Sequence, residues 1–140
     1  MMSQKERISM VVFSGTLDKL MPVGIMAAGA MAMDQEVEIF LTFWGLMAFK
    51  KGAAQNLPIS KEFEHMGPMM MQIMREKKVP NFMDTLRTAK ELGDVKVYAC
   101  GMTMDLFGLK LEDLEDVVDG IAGVGEFIEH AKEGKITMFI

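Results

Sequence analysis

Residues 7–13 constrain the fold of this chain most. Ile8, Met10, Val11, Val12 and Phe13 form a nearly unbroken apolar run, not the alternation of a strand with one wet face. Such a run needs cover on both faces, which parallel strands sandwiched between helices receive. It stops at Ser14-Gly15, Thr16 can cap a helix, and Asp18 sits where a carboxylate favours the N-terminal end of the helix dipole. Gly24, Ala27, Ala28 and Ala30 are small enough to let this helix, which runs to about Met33, lie close to a sheet. Further strands are expected at residues 37–43, 95–100, 117–118 and 136–140. Helices are expected at residues 46–51 and 69–77, from an Asn81 N-cap to a Gly93 stop, and along Ile121, Val124, Ile128 and Ala131, which follow a 3.6-residue period. This alternation predicts a single α/β domain over residues 1–140, a three-layer, open, mostly parallel five-stranded sheet with helices on both faces. Residues 55–78, with Pro58, Gly67 and Pro68 and weak periodicity, are expected to form a poorly ordered lid over the strand-end crevice.

Composition removes several function classes. A net charge of −5 argues against a nucleic-acid partner, because such binding draws on clustered Lys and Arg. The uncharged runs at residues 20–33 and 39–49 are too short to span a bilayer, which takes about 20 apolar residues. No basic stretch leads into an apolar one at the N-terminus, so a cytoplasmic location is expected. The mean hydropathy of +0.18 is high for a small soluble monomer and points to a homo-oligomer. One cysteine excludes an intrachain disulfide, so any thiol chemistry uses a single sulfur per subunit.

In open α/β sheets, functional groups gather at the carboxyl ends of the strands. Three segments lie there: residues 14–19, residues 42–45 and residues 100–105. Cys100 ends a strand just before a helical turn, where free backbone N–H groups can stabilise a thiolate; it can equally be an inert residue closing a buried strand. Asp18 and Lys19 read either as a solvated first-turn pair or as groups flanking the crevice toward an anionic substrate. Trp44 reads as a packed aromatic at a sheet edge or an oligomer contact. The 17 methionines raise the question of a soft metal around Cys100, Met102, Met104, His65 and Met66, but their spacing fits core or interface filling, and no metal site is expected. Neither a P-loop nor a G-x-G-x-x-G turn follows any strand, so no nucleotide cofactor is expected either.

The strings Thr42-Phe43-Trp44-Gly45 and Ala99-Cys100-Gly101-Met102-Thr103-Met104-Asp105, with Ser14-Gly15, Asp18-Lys19 and the Asp119 to Val124 stretch, resemble the DsrE/DsrF-like family. The resemblance is to its peroxiredoxin-like DsrE subfamily and covers nearly the whole chain. It departs from the pattern at residues 51–67, which look shortened. The resemblance implies a DsrE-like, flavodoxin-type fold, self-association, and sulfur trafficking without metal or organic cofactor. In that reading Cys100 accepts sulfane sulfur as a persulfide and passes it to an acceptor thiol, a sulfurtransferase-like relay. Its partners are sulfur donor and acceptor proteins or small sulfane-sulfur compounds. Asp18, Lys19, Trp44, Met102, Met104 and Asp105 match recurrent positions and are the expected substrate-binding residues. The rival expectations are a non-catalytic oligomeric binding module with a structural cysteine, and a thiol-dependent redox protein that would need a resolving thiol from elsewhere.

Overall fold

Successive side chains of a strand point to opposite faces, so each central strand here must fit two different layers. The computed structural model describes residues 6–140. Strands β1 (Arg7–Val12), β2 (Glu36–Leu41), β3 (Val95–Cys100), β4 (Gly120–Ala122) and β5 (Ile136–Phe139) form one sheet in the order β4-β3-β2-β1-β5, with every pairing parallel. The helices are α1 (Leu17–Ala32), α2 (Phe43–Met47), α3 (Gly67–Glu76), α4 (Phe82–Leu92), α5 (Gly101–Phe107) and α6 (Val124–Ala131), with 3-10 turns at Ala53–Asn56, Lys61–Met66 and Leu111–Asp113.

The first face of the sheet presents Ile8, Met10, Val12, Val37, Ile39, Leu41, Val95, Val97 and Ala99, all buried beneath α1 and α4. Gly24 lies against the backbone of Phe82, which is how the small residues of α1 bring the two helices together. Asn81 caps α4 by accepting a hydrogen bond from the Met83 amide at 2.8 Å, as the sequence predicts. The second face is covered by α6. There Phe127 stacks on Phe40 at 4.9 Å, in a smaller cluster that also holds Cys100 and Ala122. Toward the strand N-termini this face turns polar: Arg7 pairs with Glu36 at 3.0 Å and His130 Nδ1 lies 2.8 Å from the Glu38 carboxylate.

Three expectations are corrected. The fourth strand is β4, not residues 117–118. Val117 and Val118 are buried in the main core without pairing, while β4 carries Gly120 and an exposed Ile121 and is held by its ladder to β3. Apolarity there reported burial and not pairing. The last helix begins at Val124, so Ile121 lies outside it, and Val124 and Ile128 face outward at 60% and 57% exposure. Phe127 is its buried residue, because a lone helix over one end of a sheet needs only a narrow apolar stripe. The second strand also ends earlier than expected, at Leu41, because the chain turns into α2 at Phe43.

The topology fixes where a crevice can form. The chain from β3 to β4 returns over the α4 side, where Leu109, Leu114, Val117 and Val118 join the main core, whereas α6 carries the next crossover over the other face. Connections that leave adjacent strands toward opposite faces open a gap between the two strand ends. Cys100 and Ala122 are the last paired residues of β3 and β4 at that end of the sheet.

Candidate functional site

Cys100 is both the last residue of β3 and the N-cap position of α5, with extended backbone angles. Its position lets amides of the first turn point back at its sulfur, since the first N–H groups of a helix have no intrahelical acceptor. The side chain is 5% exposed. Burial pushes the thiol pKa up, but hydrogen bonds from the Thr103 hydroxyl and amide, the Thr42 hydroxyl and the Met102 amide outweigh it, and the thiol is held below its ordinary value. The two hydroxyls are themselves organised. Thr103 Oγ1 lies 3.1 Å from Thr42 Oγ1, where either hydroxyl can donate, and accepts the Phe43 amide at 3.2 Å. Thr103 is fully buried.

Phe43 has a left-handed φ of 47°, which a bulky residue rarely adopts. That turn aims its amide at Thr103 and starts α2 immediately after Thr42. The two glycines of the motif strings have a steric reason. A Cβ on Gly45 would collide with the Val12 carbonyl, and one on Gly15 would meet the Trp44 carbonyl, so the ends of β1 and β2 meet backbone to backbone. Around this junction Phe13, Phe43, Trp44, Phe107 and Phe139 form a chain of ring contacts at 5.7 to 6.5 Å. Trp44 and Phe139 are 54% and 71% exposed, so the rim of the strand ends is aromatic and open to solvent.

The expected substrate-binding residues divide among several surfaces. Met102 lies two residues after the thiol and is 68% exposed, and Asp105 is exposed on the same short helix. Met104 packs into the main core with the first-face residues. Trp44 and Lys19 line a groove of about 470 Å³ between the start of α1 and the wall at Leu57 and Pro58. Asp18 accepts the Ser60 amide at 2.9 Å and borders a separate apolar cavity with Phe63, Met66 and Met69. Burial raises its pKa, but hydrogen bonds from Ser60 and Thr16 prevail and hold the carboxyl below its usual value. Among the described residues, no three His, Cys, Asp or Glu side chains converge as a metal site.

Sequence reasoning did not assign roles to Thr42 and Thr103. A signal for Thr103 existed: a threonine three residues after a cysteine that starts a helix can return its hydroxyl to that cysteine. Thr42 carried no local signal, because its neighbour comes from another strand.

Similarity to known proteins spans nearly the whole chain. The uncharacterized protein YrkE of Bacillus subtilis (strain 168) is 39% identical over 162 aligned positions that cover 100% of both chains. The alignment is longer than this chain, so the relative carries residues where this chain has none. Sulfur carrier protein DsrE2 of Allochromatium vinosum is 30% identical over 98% of this chain and 99% of that one. In fold, the solved structure of MTH1491 from Methanobacterium thermoautotrophicum, a protein of unknown function, superimposes with a TM-score of 0.61 over 97% of this chain and 100% of that one, at 14% identity. Residues 4–139 match the DsrE/DsrF/DrsH-like family model, and the chain belongs to that family.

Proposed function

We propose that this protein is a sulfur carrier in which Cys100 takes up sulfane sulfur and hands it to an acceptor thiol. The Cys100 thiolate attacks the sulfane sulfur of a donor, a new S–S bond forms at Sγ, and the donor's S–S bond breaks with its electron pair leaving on the donor sulfur. The acceptor thiolate then attacks the terminal sulfur of the Cys100 persulfide and returns Cys100 as a thiolate. No net oxidation occurs across the two steps, so neither metal nor organic cofactor is called for. The observation that carries this reading is the placement of Cys100 at the N-cap of α5 beside the buried, paired Thr42 and Thr103 hydroxyls, surroundings that hold the thiol below its ordinary pKa and favour the anionic form needed for attack. The same donors suit the charged terminal sulfur of a persulfide. A family relative described as a sulfur carrier supports it.

The partners in this reading are proteins or small compounds bearing sulfane sulfur, met at the aromatic rim and Met102. Self-association and a cytoplasmic location belong to the same proposal; among the described residues no helix is long and apolar enough to cross a membrane. The enclosure of Cys100, 5% exposed, favours a second reading as an inert structural thiol in a binding module. Persulfide-loaded protein mixed with glutathione separates the two. A carrier releases glutathione persulfide and regains its unmodified mass, whereas an inert thiol offers no sulfur to the chase.

A further inference from the structure

We propose that the groove beside Trp44 binds a small organic anion with an apolar body, headed by a carboxylate or a sulfonate, at a site separate from the Cys100 thiol. The groove holds about 470 Å³, within the range of small-molecule sites, and Cys100 is not among its lining residues. Phe13, Trp44, Met47, Leu57 and Pro58 give it apolar walls, and Lys19 is its only charged lining residue. Lys19 is exposed and makes no ion pair among the described residues, so its charge is available to a ligand. A lining of one cation, no carboxylate and two aromatic rings complements an anion joined to an apolar body, and disfavours a cation or a strongly polar solute.

The groove is built before any ligand arrives. Its Pro58 wall is tied to α1 by the Leu17 amide, which donates to the Pro58 carbonyl at 2.9 Å, and by the Thr16 and Ser60 hydroxyls, 3.1 Å apart. Its floor is fixed where Gly15 lies against the Trp44 carbonyl. Such preorganisation lowers the ordering cost of binding.

Trp44 is the only tryptophan of the chain, so its emission reports this groove directly. The full chain is titrated with octanoate, with 1-octanesulfonate and with uncharged octan-1-ol, each below its aggregation limit. A saturable change in emission is expected with one or both anions, the stronger of the two naming the head group. Lys19→Gln is expected to weaken that binding by about tenfold, the usual worth of one charge-assisted contact. Cys100→Ser should bind as the wild type does, which keeps the site independent of the sulfur chemistry. The proposal is overturned by the absence of saturation with either anion, by octan-1-ol matching them, or by unchanged affinity in Lys19→Gln.

Discussion

At the scale of single residues, the chemistry turns on a contest at one sulfur between burial and hydrogen bonding. Cys100 is as enclosed as a core residue, yet the donors around it prevail and lower its pKa. Thr103 contributes twice, through its hydroxyl and its amide, so it is the residue to change. Thr103→Val keeps the shape and removes the hydroxyl; the midpoint of Cys100 alkylation against pH should move upward, while Thr103→Ser should stay close to wild type. The same valine variant leaves the Phe43 amide without its acceptor and should cost about 1–3 kcal/mol in denaturant unfolding. Linkage has a definite sign. A thiol whose folded pKa is depressed adds stability at pH above its unfolded value, and that stability is lost as pH falls through the folded one. Unchanged alkylation midpoints in Thr103→Val would mean that the hydroxyl does not act on the sulfur.

Among the elements, the segment between α2 and α4 behaves in two parts. Residues 58–60 are clasped to the first turn of α1 through Pro58, Ser60, Thr16 and Asp18, whereas α3 presents Met69, Met71 and Ile73 to solvent. Slow amide exchange is expected at Ser60, whose N–H is bonded to Asp18, and faster exchange along α3 than in β3; equal protection of α3 and β3 would remove the lid expected over residues 55–78. The clasp depends on pH because Asp18 holds its proton less tightly than an ordinary carboxyl of pKa 3.8. Its contribution is present above that value and is lost as pH falls through the lower folded one. Asp18→Asn should speed exchange at Ser60 at neutral pH and flatten that pH dependence. The strands that hold the site were legible because β1, β2 and β3 keep their first-face positions apolar and add apolar residues on the second face near their C-terminal ends, and the α4 boundaries were legible because Asn81 and Gly93 are local signals. β4 and the buried stripe of α6 were not. Three residues at a sheet edge have no pattern of their own, and Ile121, Val124 and Ile128 keep helical spacing without marking the buried side. Thr42 and Thr103 were hidden for a related reason: their pairing joins residues 61 apart in sequence.

For the whole molecule, the sheet order places the two connections after β3 and β4 on opposite faces, and that placement puts the one cysteine at the strand end where they part. The outer side of α6 and the neighbouring edge leave Met102, Leu106, Ile121, Val124 and Ile128 exposed, between 52% and 68%. Apolar surface of this kind on so small a domain fits association between copies, and light scattering at micromolar concentration should give a multiple of the 15.6 kDa chain mass. A monomer mass would leave that surface to a transient partner. The proposed carrier chemistry is tested most directly by the intact mass of the protein after exposure to polysulfide, at a pH where the thiolate is present. Because the chain has a single cysteine, the site of any reversible sulfur adduct is unambiguous. Wild type should gain sulfur, dithiothreitol should remove it, and Cys100→Ser should gain none. An unmodified wild-type mass, or an adduct that persists in Cys100→Ser, would contradict Cys100 as the carrier.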